Sequence, residues 1–143
     1  MGATPPVTKF NIISGRCYRK GVAAVEFAIV APVLLIILLG TIETCTMIFL
    51  QQSLTIAAYE AARVTVVPNT KTSEVNAAAT RLLSRRRVKG FTIKITPSNF
   101  QAASYGTFIR VEVAAPCNEN SPISPFYFNS KTLTGSVEVM KEF

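Results

Sequence analysis

With 143 residues the chain can hold one small domain besides any membrane segment, and 49% of it is apolar, an excess concentrated in residues 22–50. It contains no His, which removes the commonest general base, the commonest metal ligand and every triad built on imidazole. Three scattered Cys are too few for a zinc site or a disulfide framework, and the net charge of +7 is unevenly placed.

The N-terminal segment is basic and free of acid. Lys9, Arg16, Arg19 and Lys20 precede Gly21, and no Asp or Glu does. Basic residues beside a span stay on the cytoplasmic side. This predicts a single-pass, N-in and C-out protein of the inner (cytoplasmic) membrane with its bulk in the periplasm. Residues 22–39 approach the ~20 residues that cross a hydrocarbon core of ~30 Å. A carboxylate, Glu26, stands near the start of this run. In a span such a group costs about 2.5–3.5 kcal/mol at the bilayer centre and less near the interface. A simple anchor gains nothing from it.

Several readings of this segment compete. A secretory signal peptide needs a shorter apolar core and a small-residue exit, whereas here the run passes through Gly40 into Glu43. A lipoprotein signal at Cys17 fails because Arg16 precedes it and no apolar run does. A plain single-pass anchor is permitted by length. A pilin-type leader explains more. Processing between Gly21 and Val22 would expose an amine with pKa near ~8 at the head of the apolar helix. Glu26, the fifth residue of the processed chain, can neutralise that amine one turn away or on a neighbouring subunit. The bland alternative is that Glu26 sits at the interface and snorkels.

The run Gly21-Val22-Ala23-Ala24-Val25-Glu26-Phe27-Ala28-Ile29-Val30-Ala31-Pro32, followed by Leu, Ile and Val, resembles the TadE-like family of tight-adherence (Tad/Flp) pilus proteins. Gly40-Thr41-Ile42-Glu43, Gln51-Gln52-Ser53-Leu54 and Ala57-Ala58-Tyr59-Glu60-Ala61-Ala62-Arg63 continue the resemblance, with Ala62 where the family more often has Gly. It is dense over residues 19–63 and only architectural beyond. It implies cleavage between Gly21 and Val22 by a prepilin peptidase, and a role as minor pilin or pseudopilin. Phe27 and Pro32 belong to the same helix motif.

A helix over residues 22–66 would be ~65 Å long. Pro32 would remove one hydrogen bond and bend it. Beyond the span, Leu50, Leu54, Ala57, Ala61 and Val64 fall on one stripe, with Gln51, Gln52, Thr55, Tyr59 and Arg63 elsewhere. That stripe suits packing on the protein's own core or on a neighbouring helix. Pro68-Asn69 ends the helix. A second helix is expected over residues 73–88, with Val75, Ala78, Ala79 and Leu82 on one face. Thr72 or Ser73 would cap it, Glu74 would sit in its first turn and Gly90 would close it. Arg85, Arg86, Arg87 and Lys89 gather at its end, where cations suit the helix dipole or anionic lipid head groups. They lack interleaved aromatics and a second basic cluster, so nucleic acid is not expected as a partner.

Period-2 alternation marks three strands: Phe91, Ile93 and Ile95; Ile109, Val111 and Val113; Val137 and Val139. Residues 97–106 and 116–132 read as long connections. The second holds Phe126, Tyr127 and Phe128, which either form a partner-contact loop or fold back onto the sheet. Cys45 and Cys117 would be the Cys retained after processing; a bridge needs their Cα atoms within about 7 Å.

The expected fold class is α+β: a long N-terminal transmembrane, pilin-like helix, a second short helix and a small antiparallel sheet of about three strands. The expected organisation is a basic leader (1–21), a long helix (22–66, spanning at about 22–42) and an extracytoplasmic head (67–143). The resemblance implies a non-enzymatic role in assembly of a Tad-type pilus and surface adhesion. It implies as partners a prepilin peptidase, the assembly platform, other pilin or pseudopilin subunits and membrane lipid. After assembly the protein could enter the extracellular pilus. No catalytic, metal or cofactor-binding residue is expected, Glu43 and Glu60 being about 25 Å apart along a helix. The competing class is an unprocessed, membrane-anchored extracytoplasmic binding module using residues 126–128.

Overall fold

The computed structural model describes residues 2–3, 16–122 and 126–142, with the backbone alone for 16–20. Most of the expected leader therefore lies outside the described residues. The fold is α+β, as the sequence predicts: helix α1 (Arg16–Thr65), helix α2 (Thr72–Arg85), strand β1 (Thr92–Thr96), strand β2 (Phe108–Pro116), a single-turn helix α3 (Cys117–Asn120) and strand β3 (Thr132–Met140). A 3₁₀ turn, Phe100–Ala102, lies between β1 and β2. The chain divides into two compact units, Met1–Leu39 and Gly40–Phe143.

In the first unit α1 begins at Arg16, upstream of the expected start at Val22. Arg and Lys are good helix formers, and one Gly costs only about 1 kcal/mol, too little to stop a long helix once nucleated. Pro32 lies inside α1 without ending it. The apolar side chains of this unit point outward on every side, Phe27 being 69% and Ile36 71% exposed.

The second unit contains the core. Met47, Leu50, Leu54, Ala57, Ala58, Ala61 and Ala62 of α1 are buried together with Val75, Ala79 and Leu83 of α2 and with Ile109, Val111, Val113 and Ala115 of β2. The α1 stripe is thus satisfied within the chain, and its small Ala positions let backbones approach. At Gly135 of β3 the approach is so close that a Cβ would lie 2.5 Å from the Thr55 nitrogen and 2.6 Å from the Leu54 carbonyl carbon. The sheet has the order β1-β2-β3, antiparallel throughout. Its inner face is Ile93, Ile95, Ile109, Val111, Val113, Val137 and Val139. On the outer face Arg110 sits opposite Glu138 in register and donates Nε to Oε1 at 2.6 Å, the cross-strand charge pairing that alternation allows.

Four local expectations are corrected. The helix over 73–88 is Thr72–Arg85, and its buried face uses Leu83, with Leu82 and Ala78 half-buried. Its N-cap is Lys71, not Thr72 or Ser73: the Lys71 N–H is directed to Glu74 Oε2 at 3.4 Å, so the carboxylate serves the first turn from inside the helix. Its close is at Arg87 rather than Gly90. Arg87 has φ 57°, its N–H donates to Ser84 O at 3.1 Å, and Val88 N–H donates to Leu83 O at 3.0 Å, a Schellman closure. Lastly, residues 116–132 are not one loop, because β2 runs to Pro116, α3 follows and β3 begins at Thr132. Gly135 reads locally as a strand breaker, yet only Gly fits against the α1 backbone there. The connection 97–106 is tied down by Phe100, which is 1% exposed.

Candidate functional site: the head of the apolar helix and a clasped aromatic loop

The sequence points to two places, one in each unit. Gly21, Val22, Glu26, Phe27 and Pro32 all lie on α1, with their side chains exposed. Val22 and Glu26 are four residues apart and so share one face of the helix, one above the other. The bond between Gly21 and Val22 is helical in the uncleaved chain, since α1 begins five residues earlier. Among the described residues, and apart from its own helix backbone, nothing lies within 4 Å of where a Cβ at Gly21 would stand. Residues 22–39 are apolar apart from Glu26, and nearly all of their side chains are exposed; leaving that surface in water is strongly unfavourable, at roughly 25 cal/mol per Å². α1 is long and apolar enough to cross a membrane.

Past Leu39 the helix turns polar without exposing free hydroxyls. Thr44 Oγ1 donates to Gly40 O and Thr46 Oγ1 to Ile42 O, both at 2.8 Å. Such bonding back along the helix satisfies the hydroxyls wherever water is scarce.

The second place is the aromatic loop, and here a residue outside the expected site organises the geometry. Glu43 Oε1 accepts the backbone N–H of Tyr127 at 2.9 Å and of Phe128 at 2.8 Å. The three rings then part. Phe128 packs against the core, Tyr127 is 70% exposed and Phe126 is 95% exposed. Tyr127 and Phe128 meet edge to face at 5.2 Å, and Lys131 Nζ lies 4.4 Å and 5.1 Å from their ring centroids. Phe128 thus folds back onto the core, as one of the two alternatives has it, while Phe126 and Tyr127 stay exposed. Glu43 could be suspected only as an unpaired acid just after a span; nothing in the sequence links it to a loop 84 residues away.

Cys45 is exposed and Cys117 buried, both as free thiols. Burial pushes the Cys117 thiol up, and the Lys131 charge partly opposes that. Among the described residues no three Cys, Asp or Glu side chains gather as metal ligands.

A helix long and apolar enough to cross a membrane, continued into a small α+β unit, is consistent with a membrane-anchored, pilin-like protein. Residues 21–63 match the family model described as TadE-like protein, the family whose motifs the sequence displays. The match begins at Gly21 and ends two residues before the end of α1, so the sheet and α2 lie outside it. No curated protein and no solved structure matches the chain. The TadE-like segment suggests a protein associated with a Tad pilus.

Proposed function

We propose that the chain is a minor pilin or pseudopilin of a Tad-type (type IV) pilus, made as a precursor and cut between Gly21 and Val22 by a prepilin peptidase. Its role is structural, in pilus assembly and surface adhesion, with no catalytic centre and no cofactor. Before assembly α1 is held in the inner membrane, N-in and C-out, with the head in the periplasm. The observation that carries this reading is the pairing of an outward-facing apolar helix, 22–39, with a single carboxylate one turn from the new amino terminus. In the bilayer that surface faces lipid. In a filament the same surface packs against other such helices, where van der Waals fit replaces lipid contact. Glu26 then pairs the Val22 amine of a neighbour, which offsets the cost of burying either charge alone.

The test is the intact mass and N-terminal sequence of the protein from membranes that contain the cognate peptidase. A mature chain beginning at Val22 supports the proposal. A chain that keeps Arg19-Lys20-Gly21 while the peptidase is active overturns it and favours the permanent anchor, in which E26Q and E26A would be tolerated.

A further inference from the structure

The connections of the second unit bring its cations to one end. The Lys89 N–H donates to Asn120 Oδ1 at 2.7 Å, and Asn120 Nδ2 donates to Lys89 O at 2.9 Å. The Cys117 N–H donates to Lys131 O at 2.9 Å. The close of α2, helix α3 and the loop ending at Lys131 are thereby joined. Arg85, Arg87, Lys89 and Lys131 are exposed there. Arg86 is drawn onto α1, its guanidinium 5.7 Å from the Phe49 ring centroid and within 3.3 Å of Ser53 Oγ. Two acids share this end: Glu43, whose Oε1 is engaged by two N–H groups, and Glu119 on α3. The balance is positive. Glu74, Glu138 and Glu142 lie at other positions along α2 and β3 and past it.

Along α1 the same end follows closely on the end of the apolar run. Glu43 follows Leu39 by four residues, ~6 Å of helical rise, while the head-group zone on each side of a bilayer is ~5–8 Å thick. Glu43 holds the loop whose Phe126 and Tyr127 rings are the most exposed aromatics beside it. Aromatic rings at head-group level and cations facing anionic lipid are the two elements of an interfacial anchor.

We propose that this end of the head is a second membrane contact: Phe126 and Tyr127 insert at the interface of the bilayer that holds α1, and Lys131, Arg85, Arg87 and Lys89 engage anionic phospholipid head groups. The Glu43 clasp presents the rings at that depth. The contact rests on the anchored reading of α1 and is independent of cleavage. It sets the head's position on the membrane and must be released when a subunit leaves the bilayer.

The full chain contains no Trp, so F126W introduces a single fluorophore. It is reconstituted into phosphatidylcholine vesicles with or without phosphatidylglycerol, using I36W in parallel. Expected for F126W are blue-shifted emission, quenching by lipid brominated near the head group, protection from aqueous acrylamide and a stronger effect with phosphatidylglycerol. Adding K131A or R85A should weaken the dependence on anionic lipid roughly fivefold per cation. If I36W is quenched by deeply brominated lipid while F126W stays open to acrylamide, the second contact is refuted and the anchor stands. If I36W is not quenched either, the anchored reading falls and takes the proposal with it. A blue shift that follows protein density without lipid quenching assigns the rings to another subunit and also refutes it.

Discussion

Glu43 places one carboxylate oxygen against two backbone N–H groups, and removing it takes the acceptor from both. E43A should lower the stability of the head by about 1–3 kcal/mol, whereas E43Q keeps the oxygen, loses only the charge and should cost less. Amide exchange at Tyr127 and Phe128 reads the effect directly, and unchanged rates in E43A would remove Glu43 as the clasp. Cys117 makes a pH prediction. Its folded pKa is raised above the ordinary 9.0 by burial, with Lys131 pulling the other way. An acid raised on folding contributes stability that is present below its unfolded pKa and lost as pH rises through the folded value. The head should therefore weaken on the alkaline side, from about pH 9 upward. C117A should flatten that slope while lowering stability at neutral pH through the lost volume. Urea midpoints followed from neutral to alkaline pH distinguish the two effects, and an unaltered slope in C117A would place the titration elsewhere.

At the scale of elements, two backbone positions govern how α1, α2 and β3 fit. Arg87 holds a left-handed conformation at the close of α2 that costs a side-chain-bearing residue about 1 kcal/mol. R87G should stabilise the head by about 0.5–1 kcal/mol, visible as a raised thermal midpoint, because Gly enters this region without a Cβ penalty. A lower midpoint would mean that the Arg87 side chain contributes more than its backbone strain removes. Gly135 is the opposite case. Its φ is not the issue; space is. G135A would place a methyl 2.5 Å from the α1 backbone nitrogen of Thr55, so α1 and β3 must separate. Overpacking of this kind costs about 1–3 kcal/mol, more where backbone must move. Gln51, whose Nε2 donates to Thr134 O at 3.0 Å, would lose its bond in the same displacement. Unchanged urea stability of G135A would show that the two elements can part freely.

At the scale of the whole molecule, the second unit starts at Gly40, inside α1, because the helix supplies one wall of the core. Met47, Leu50, Leu54, Ala57, Ala58, Ala61 and Ala62 cover the inner face of the sheet from that side. A fragment of residues 67–143 keeps the sheet and α2 but exposes that face, and a three-stranded sheet with one short helix buries too little to offset its chain entropy. It should be unfolded by circular dichroism, while residues 40–143 should fold. A cooperative thermal transition in the shorter fragment would refute this. One helix thus has two environments: residues 22–39 expose apolar side chains that water cannot stabilise, and residues 47–62 bury theirs against the head.

Composition and short-range period alone determined much of this protein. An apolar run of membrane length, a basic flank and one early Glu are read residue by residue, and strand alternation and the α1 stripe repeat every two to four residues. These signals survive because helix and strand geometry is local. The contacts between elements were decided only in three dimensions. Leu83 of α2 is fully buried, in line with Val75 and Ala79, while Leu82 packs at the edge of the core and stays half-buried. β3 extends back to Thr132 because Gly135, a breaker by propensity, is the residue that admits the α1 backbone. Phe128 turns inward while Phe126 turns out because a carboxylate 84 positions before Tyr127 holds the chain between them and the core. A periodic pattern carries no information about a partner at that separation; only the folded chain brings Glu43 to it.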